Sequence, residues 1–533
     1  MKLYQALAHS LADHGIDTIF GLVGDPNLLF VDSFVREQAG KFYSATHEVG
    51  ATLMAQGYAA VSNTPGVVSV TYGPGVTNTL TGVIDAVKSR RPLLLIYPDM
   101  SVENHDNRRN VPQRELILPT GAGFEQVRSP QTALTDLSVA LRRAVSESRP
   151  VALNVPQEFF DAEVDYRRTI QRPTSAPGLK IDESALDQAI DIIASARRPI
   201  VIGGRGARSA RGSLLRLAER IGAPTGTSLG GKDLFHGEEF DLGIIGKLSV
   251  GATAEIASEA DCIIAFGAGL NQDTTANGSV LSNKRVVHCD IDPSRLGQYS
   301  PVDVGIVGDA AEIADLIVDR LNATEIEPSS FRSGAMAKEL ESGRTLTPGK
   351  PDTALDVRIA LRQIDQVIPE DKIYVVDPGR HTIASWNEVH VKESNNFVLT
   401  AGFGAIGTAP GIAIGAACAD RSRPVLLVTG DGGLMLSGLS EFNSAVRHNL
   451  DLIVVVCNDG AYGPEYQTLA ERGLSPDVVA FDWPDFAPIA DDLGGQGMTV
   501  RSYADIAGVA PLIANRTRPV LIDVKLNPDT MPV

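Results

Sequence analysis

The stretch from Pro424 to Gly463 restricts the possible folds of this chain most strongly. Two apolar runs, at 424–429 and 452–457, flank a glycine-rich turn at 430–433 and an amphipathic segment. Apolar runs of this length between turn signals predict buried strands, and the amphipathic segment predicts a helix. A strand, a helix and a second strand form a βαβ unit, which requires a parallel sheet. The sequence therefore predicts an α/β fold.

Polar side chains follow both of these strands. Asp431 lies in the first turn, and Asn458 and Asp459 come directly after the second strand. Because the carboxyl ends of neighbouring parallel strands meet at one edge of a sheet, these side chains are expected to lie together. Their oxygens suit Mg2+, and the glycine amides at 430–433 can approach a diphosphate. The residues by themselves leave open an ordinary turn, and do not decide between Asn458 and Asp459 as second ligand.

Length and composition limit the class of protein. A chain of 533 residues, 43% hydrophobic and 21% charged, is typical of a globular protein with about two to four domains. No apolar run reaches the roughly 18 residues of a membrane span, so no membrane association is expected. The formal charge of −18 argues against nonspecific binding to nucleic acid, whose phosphates attract basic surfaces.

The cysteines and the start of the chain predict the cellular compartment. Cys262, Cys289, Cys418 and Cys457 lie in apolar strand or helix patterns, and their spacing matches no metal motif. They are expected to be buried free thiols, as in a reducing environment. Met1–Gln5 lead directly into a helical pattern without a signal-peptide core. We therefore expect a cytoplasmic protein.

The two turns after the strands resemble the metal-diphosphate motif of thiamine diphosphate (ThDP) enzymes. That motif is Gly-Asp-Gly followed, after a helix and a strand, by an Asn pair, and Asp459 stands here in place of the second Asn. Glu441 lies one residue later than the corresponding Glu of the family, whereas the second strand keeps its spacing to Asp459. One extra residue after the glycines explains both facts. The resemblance implies that Mg2+ is bound by Asp431, Asp459 and the Ala461 carbonyl, with Asn458 as the alternative.

The same resemblance implies cofactor contacts in this half of the chain. The strand Lys372–Val376 ends in a turn like the first diphosphate loop of the family, although a solvated turn is the alternative. In the glycine-rich segment 402–407, Ile406 fits the large aliphatic residue that props the cofactor into its V shape, and the Gly404 carbonyl would accept from its amino group. The implied cofactor-binding residues are Gly379, Arg380, His381, Gly404, Ile406, Gly432, Gly433, Tyr462 and Gly463.

A second pair of motifs lies near the start of the chain. His47–Ala51 begins a helix of small residues, and the strand at 66–70 leads into the Gly-Pro-Gly turn of Gly73–Asn78. Both motifs resemble the pyrimidine-binding domain of acetolactate synthases. The resemblance implies that Glu48 hydrogen-bonds N1′ of the aminopyrimidine and so enables N4′ to take the C2 proton. By itself, a Glu at this position is often only a first-turn charge favoured by the helix dipole.

Three further residues match catalytic positions of resembling enzymes. A Gln near the position of Gln113 faces the reaction centre there. Asp25 and Glu465 match two acids of pyruvate-decarboxylase-type enzymes, which would protonate the fragment left after CO2 departs. Each acid alone is also compatible with a surface carboxylate. His105, which lacks the second His of those decarboxylases, is expected in a solvated loop, so the implied catalytic set is Glu48, Asp25, Gln113 and Glu465.

The resemblance covers nearly the whole chain and implies three doubly wound parallel-sheet domains. We expect a pyrimidine-binding domain at 1–165, a Rossmann-like middle domain at 182–322 and a diphosphate-binding domain at 354–533. Some related middle domains hold FAD or ADP, and the Gly203–Gly206 turn follows a strand here. Residues 268–273 lack the basic side chains that FAD-binding relatives carry after the corresponding strand. FAD is therefore doubtful, and a structural middle domain is expected.

The resemblance implies an enzyme that acts on 2-oxo acids with ThDP and Mg2+. After decarboxylation, an acetolactate synthase-like carboligase joins the remaining fragment to a second carbonyl compound, giving a 2-hydroxyketone, whereas a simple decarboxylase releases an aldehyde. The middle domain and the 73–78 turn favour the first outcome, and Asp25, Glu465 and Ile406 favour the second.

A catalytically silent subunit with the same fold is a third alternative, against which the intact Glu48 argues. In this family the active site forms between subunits, so a homodimer or homotetramer with shared sites is expected. The 2-oxo acid is the small-molecule partner that the resemblance implies.

Overall fold

The computed structural model describes residues 1–101, 106–168, 180–346, 355–400 and 402–531. It contains three six-stranded sheets whose strands run parallel, each covered by helices. The expected α/β architecture with three parallel sheets is confirmed. His105 and the predicted domain start at residue 354 lie outside the described residues.

The first sheet is built from the first third of the chain. Its strands are β1 (Thr18–Gly21), β2 (Lys41–Ser44), β3 (Gly66–Ser69), β4 (Leu93–Asp99), β5 (Gly123–Gln126) and β6 (Val151–Pro156). Its helices are α1 (Leu3–Asp13), α2 (Asp25–Glu37), α3 (Glu48–Ser62), α4 (Pro74–Lys88), α5 (Gln113–Ile117) and α6 (Ala133–Ser146). The spatial order is β2-β1-β3-β4-β6-β5, so the direction of winding reverses between β1 and β3. Ligands of doubly wound sheets bind at such a reversal, beyond the carboxyl ends of the strands.

The second sheet is built from the middle of the chain. Its strands are β7 (Pro199–Gly203), β8 (Thr225–Thr227), β9 (Asp241–Ile244), β10 (Cys262–Phe266), β11 (Arg285–Asp290) and β12 (Val304–Val307). Its helices are α7 (Glu183–Ser195), α8 (Arg211–Ile221), α9 (Thr253–Glu259), α10 (Ala310–Asn322) and α11 (Gly334–Gly343). The order β12-β11-β10-β7-β8-β9 is the Rossmann order, as expected for the middle sheet.

The third sheet repeats the topology of the first. Its strands are β13 (Ile373–Val376), β14 (Phe397–Val398), β15 (Val425–Gly430), β16 (Leu452–Asn458), β17 (Gln496–Val500) and β18 (Val520–Lys525). Its helices are α12 (Val357–Asp365), α13 (Thr382–Glu388), α14 (Ala409–Ala419), α15 (Asp431–Gly433), α16 (Leu439–Arg447), α17 (Gly463–Glu471), α18 (Phe486–Asp492), α19 (Tyr503–Ile506) and α20 (Val509–Ala514). The order β14-β13-β15-β16-β18-β17 reverses between β13 and β15, which lead into the two predicted diphosphate turns.

The chain divides into two compact units. The first comprises Met1–Thr174, Gly349–Ser385 and Val398–Val533, and the second comprises Ser175–Pro348 and Trp386–Phe397. The short segment Trp386–Phe397 thus packs with the middle sheet although it lies inside the range predicted for the diphosphate-binding domain. The predicted domain boundaries themselves stay a prediction.

Helices α3 and α14 hold the first and third sheets together in the first unit. Gly57 of α3 lies so close to α14 that a Cβ atom there would be 1.9 Å from the Ile412 carbonyl oxygen. Gly415 of α14 lies equally close to α3, where a Cβ would be 1.8 Å from the Met54 carbonyl oxygen. The small residues that the sequence shows in α3 therefore allow two helix backbones to touch.

Two expectations from composition can be compared with the structure. The four cysteines are buried and unpaired, which confirms the expected free thiols. In the part of the chain that the structure describes, no helix combines the length and apolar character needed to cross a bilayer.

We expect Gly57→Ala to destabilise the first unit by about 1 to 3 kcal/mol, because the added methyl group overlaps the backbone of α14. The urea midpoint of the transition reported by the first unit measures this change. Gly334→Ala is the control, since nothing lies within 4 Å of a Cβ at this first residue of α11. Equal midpoints for the two variants would contradict the close helix contact.

Candidate active site

Asp431 and Asp459 lie next to each other at the end of two paired strands. Gly430 of β15 pairs with Cys457 of β16, and each strand is followed within two residues by one of the two acids. Asp431 is 2% exposed and Asp459 is 8% exposed. The sequence prediction that the two turns meet at one sheet edge agrees with this placement.

The two carboxylates influence each other strongly. Burial and the charge of Asp459 raise the pKa of Asp431 to about 7. Burial also raises the pKa of Asp459, while the Ala461 amide and the nearby Arg380 oppose the shift. Two buried like charges are stable together only when a proton or a cation is shared between them. The pair is therefore a candidate site for a divalent cation.

Asn458 has a different neighbour. Its Nδ2 donates to Asp523 Oδ1 at 2.9 Å, and Asp523 also accepts from the Phe486 amide at 2.9 Å and from Lys525 Nζ at 2.8 Å. Asn458 thus belongs to a buried network beside β18. Its Nδ2 is engaged there, whereas the Asp459 carboxyl lies beside that of Asp431, and this proximity favours Asp459 as the second metal ligand.

The backbone after Asp459 is held by a short bridge to residue 480. Phe481 N donates to Gly460 O at 2.7 Å, and Tyr462 N donates to Val479 O at 2.9 Å. The Ala461 carbonyl lies between these two groups and takes no part in either bond. It is therefore compatible with the predicted role as a ligand.

Three aromatic rings follow one another from Asp431, one of the candidate metal ligands. Trp483 Nε1 donates to Asp431 Oδ2 at 2.8 Å, Trp483 stacks on Phe481 at 4.8 Å, and Phe481 meets Tyr462 edge to face at 4.8 Å. Tyr462 in turn borders Gly432, where a Cβ would lie 2.7 Å from the ring. The sequence reasoning missed Trp483, because it lies 52 positions after Asp431 and outside both motif turns.

Asp377 is a further buried carboxyl group, and it ties loops of the site together. It follows β13 and accepts from the Gly407 amide at 2.7 Å and the Ala409 amide at 2.9 Å. A Cβ at Gly433 would lie 2.2 Å from its Oδ2. One side chain therefore fixes the 402–409 loop against the turn that carries Asp431. The sequence signal that could have identified Asp377 is the presence of an Asp between a buried strand and Pro378.

The predicted first diphosphate loop contains a buried histidine beside the metal candidates. His381 is 3% exposed, and its ring lies against Gly430, 3.4 Å from the position of a Cβ. Its Nε2 has no hydrogen-bond partner among the described residues. Burial lowers the pKa of His381 to about 4, so the ring is neutral without a ligand. An unpartnered buried nitrogen beside a glycine turn fits a site that takes a polar ligand.

Arg380 and Gly379, which precede His381, have different contacts. Arg380 donates to Pro528 O at 2.6 Å and to Met531 O at 2.7 Å, which holds the last described residues against this loop. Gly463 packs on Arg380, since a Cβ there would lie 2.7 Å from the Arg380 Cβ. At Gly379 a Cβ would lie 2.7 Å from the His381 ring, so the loop needs glycine at this position.

The 402–409 loop contains Gly404 and Ile406, the two residues predicted to contact the aminopyrimidine and to hold the cofactor in its V shape. Ile406 is half-buried, and Gly404 has a φ of +78° with open space around its Cβ position. The loop is also fixed from the first sheet, because the Phe403 amide donates to Asp85 Oδ1 at 2.8 Å. Asp85 is fully buried and accepts from Gln56 Nε2 at 2.6 Å. This clamp was not predicted.

Glu48 begins α3, in the region near the start of the chain that was predicted to contact the cofactor. Its Oε2 accepts from Asn78 Nδ2 at 3.0 Å, and the two motifs found near the start of the chain therefore meet. Its carboxylate also lies 3.7 Å from the position of a Cβ at Gly75. Among the described residues, no hydrogen bond or ion pair joins Glu48 to Asp431 or Asp459.

Glu441 fixes the backbone that presents Glu48. Glu441 is 1% exposed and accepts from the Thr46 amide at 3.0 Å and the His47 amide at 3.3 Å. A Cβ at Gly50 would lie 2.2 Å from its carboxylate oxygen. A residue of the third sheet's helices thus orders the first turn of α3. Sequence reasoning used Glu441 only for spacing.

The remaining catalytic candidates have unequal surroundings. Gln113 is 3% exposed; its Oε1 accepts from the Gly73 amide at 3.1 Å, and its Nε2 donates to Asn154 Oδ1 at 2.7 Å. The Oε1 end of this amide therefore fixes the Gly-Pro-Gly turn and the Nε2 end ties it to Asn154, and the expected place of Gln113 at the reaction centre stays a prediction. Asp25 and Glu465 are exposed first-turn residues of α2 and α17, and no described contact joins them.

The glycine turn of the middle sheet is already occupied by protein. Gly204 N donates to Phe266 O at 2.8 Å, and Gly206 N donates to Gly267 O at 3.1 Å. A Cβ at Gly204 would lie 2.2 Å from the Gly267 oxygen. These two amides bind a neighbouring strand end, so they are engaged before any phosphate arrives.

Comparisons with known proteins match three segments along the chain. Residues 1–119 match the model of the thiamine pyrophosphate enzyme N-terminal TPP binding domain, residues 186–317 match the central domain and residues 377–524 match the C-terminal TPP binding domain. Thiamine pyrophosphate (TPP) is the same compound as ThDP.

Similar proteins carry several activities. An acetolactate synthase of Arthrospira platensis is 28% identical over 98% of this chain and 94% of its own. A probable 2-ketoarginine decarboxylase of Pseudomonas aeruginosa is 29% identical over 94% of this chain and 89% of its own. A sulfoacetaldehyde acetyltransferase of Alcaligenes xylosoxydans xylosoxydans is 26% identical over 94% and 88%.

We expect Mg2+ to stabilise this protein more at about pH 8 than at about pH 5. The pKa of Asp431 in the folded state, about 7, lies above the unfolded value of about 3.9, so ionisation lowers stability as pH rises between these values. A cation removes this penalty only where both carboxyls are ionised. Melting temperatures with Mg2+ and with EDTA at both pH values measure the difference. An equal Mg2+ effect at both values, or one that Asp431→Asn leaves unchanged, would contradict the assignment.

Proposed function

The chain belongs to the thiamine pyrophosphate enzyme family, and we propose that it is an acetolactate synthase-like enzyme that decarboxylates a 2-oxo acid and joins the remaining fragment to a second carbonyl compound. The observation that carries the proposal is the buried pair of Asp431 and Asp459 at the winding reversal of the third sheet, beside the unpartnered Nε2 of His381. These groups fit a cation and a diphosphate.

In this proposal the third sheet holds the cofactor. Asp431, Asp459 and the Ala461 carbonyl bind Mg2+ through oxygen, as this hard cation requires. The backbone of Gly432 and Gly433 approaches the diphosphate at a helix start, where amides point outward.

Further contacts of the third sheet complete this cofactor site in the proposal. His381 offers Nε2 to a phosphate oxygen, whose negative charge favours the protonated ring. The backbone of Gly379 and Arg380 flanks that contact, and Tyr462 and Gly463 border the metal-binding turn. Gly404 and Ile406 contact the aminopyrimidine side.

Thiamine diphosphate, when bound, supplies the electron sink that allows a 2-oxo acid to lose CO2. The part of Glu48 is to hold the proton at the pyrimidine N1′. Asn78 orients the Glu48 carboxylate by a hydrogen bond. The hydrogen bond from the Thr46 amide to Glu441 fixes the backbone before Glu48. Both supports hold the carboxylate in one position, which general acid–base catalysis requires.

We propose that Glu48 reaches the cofactor of a second copy of the chain. Within one chain, Glu48 makes no described contact with the aspartate pair. Large apolar side chains are exposed around the third-sheet site, namely Leu436 at 62%, Phe403 at 43% and Met435 at 39%. Leu28 and Leu29 near the first-sheet site are 47% and 48% exposed. A homodimer covers both groups, and a homotetramer is compatible with the same contact.

The fate of the fragment that remains after decarboxylation is the most specific part of the proposal. The acetolactate synthase and acetyltransferase relatives favour transfer of the fragment to an acceptor. The 2-ketoarginine decarboxylase relative and the predicted acids Asp25 and Glu465 favour aldehyde release as the second candidate. The intact Glu48 and the aspartate pair argue against a silent subunit. The cytoplasmic location and the structural role of the middle domain stay predictions.

Incubation with ThDP, Mg2+ and a panel of 2-oxo acids of increasing chain length tests the proposal. Release of CO2 from at least one acid is expected, and an added aldehyde or 2-oxo acid acceptor should yield a chiral hydroxyketone. If an aldehyde is the sole product, the enzyme is a simple decarboxylase and carboligation is contradicted. Absence of CO2 from every acid by protein that binds ThDP would favour the silent subunit.

We expect Glu48→Gln to lower kcat by about 10^2- to 10^4-fold while ThDP still binds, because the amide cannot exchange the N1′ proton. Steady-state CO2 release and ThDP titration by calorimetry measure the two effects. Glu163→Gln, at a residue whose side chain is 84% exposed, is the control and should retain full activity. Unchanged turnover of Glu48→Gln would remove Glu48 from the mechanism.

Asp459→Ala and Asn458→Ala distinguish the two possible metal ligands. Asp459→Ala should abolish Mg2+-dependent ThDP binding, since one of two charged ligands is lost. Asn458→Ala should retain that binding but lower stability by about 1 to 3 kcal/mol, because Asp523 loses a buried hydrogen-bond donor. Calorimetric ThDP titration and urea unfolding separate the outcomes. The reverse pattern would assign the metal to Asn458.

A further inference from the structure

Three side chains of metal-binding type converge in the second unit, and none of them belongs to the candidate active site. Asp233, His236 and His390 each offer a ligand atom, and the three atoms lie within 4.8 Å of one another. Asp233 and His236 follow β8, whereas His390 lies in the Trp386–Phe397 segment, 157 positions after Asp233. Neither motif analysis nor the family models assign a role to this group.

Asp233 is held in one orientation by its neighbours. Its Oδ2 accepts from Lys232 Nζ at 2.5 Å and from the Val391 amide at 2.9 Å. Its Oδ1 is 3.0 Å from His390 Nδ1. The residue has a φ of +62°, a left-handed conformation that is uncommon for a residue with a Cβ. The surrounding contacts thus fix a strained residue so that Oδ1 faces the histidine.

The two histidines lie at the surface end of the group. Their rings stack with centroids 3.9 Å apart and an interplanar angle of 17°. His236 is exposed, and the side chain of His390 is 37% exposed, so an ion can enter from solvent.

We propose that Asp233, His236 and His390 bind one divalent cation of the borderline class, with Zn2+ as the best match. Two imidazole nitrogens and one carboxylate oxygen are a ligand set that Zn2+ accepts, with water in the fourth position. The cation replaces the hydrogen bond between His390 Nδ1 and Asp233 Oδ1 by two metal bonds. The His390 proton at that nitrogen passes to solvent, and no oxidation or reduction takes place.

The ion would join two distant parts of the second unit. It connects the loop after β8 with the segment that follows α13, so bound metal stabilises the docked position of Trp386–Phe397. The ammonium group of Lys232 limits the affinity by repulsion, while its bond to Oδ2 keeps Oδ1 directed at the ion. The site differs in chemistry from the Asp431 and Asp459 pair, whose oxygens suit Mg2+. The proposal does not depend on the proposed function.

Cobalt is the probe that distinguishes the two metal sites. The full-length chain is treated with EDTA, freed of chelator, and titrated with Co2+ in the presence of excess Mg2+ and without ThDP. One Co2+ per chain with visible d–d absorption of nitrogen coordination is expected, and Zn2+ should displace it. Melting temperature should rise with Zn2+. Absence of the absorption band in the wild-type chain would overturn the proposal.

Variants locate the ion. His236→Gln and His390→Gln should each weaken Co2+ binding by at least about tenfold, in line with the loss of a ligand. His9→Gln is the matched control, because His9 also lies near a carboxylate, 3.9 Å from Asp13, but belongs to no cluster of three metal-binding side chains in the described part of the chain. Far-UV circular dichroism checks folding, and the exposed His236 gives a variant that leaves the core untouched. Unchanged Co2+ binding in His236→Gln, or an equal loss in His9→Gln, would overturn the assignment.

Discussion

Two carboxyl groups buried side by side are the constraint on which the third sheet's site depends. Parallel pairing of β15 with β16 brings Asp431 and Asp459 to one edge, and burial prevents water from separating their charges. The folded chain accepts this cost because a large apolar core carries both strands. A pair of this kind is stable when a cation occupies it, so folding and ligand binding favour the same arrangement.

Further buried carboxylates position the backbone around this pair. Asp377 binds amides of the loop that presents Ile406, Asp85 binds the amide of Phe403, and Glu441 binds the amides before Glu48. Ionised carboxylates accept strong hydrogen bonds from amides, and each of these three joins parts of the chain that are distant in sequence. Buried acidic side chains therefore order the backbone at the site.

Part of the site was predictable from local patterns. The turn around Asp431, the turn around Asp459 and the helix start at Glu48 follow from strand, helix and glycine signals, which depend on neighbours in sequence. Trp483, Asp85 and the histidine pair of the middle sheet were missed, since they act through partners far along the chain. The side chain of Gln113 was predicted at the reaction centre, but its position depends on packing against Asn154, which no spacing reveals.

The sequence by itself determined the α/β class and the two turns that carry acids, because hydrophobic periodicity and turn chemistry are local properties, whereas the three parallel sheets were implied by the family resemblance. Tertiary structure alone decided that Asn458 serves Asp523 while Asp459 borders Asp431, and that Trp386–Phe397 packs with the middle sheet. Neighbouring residues of a strand point to opposite faces, and only the packed partners of each face determine what a side chain does there.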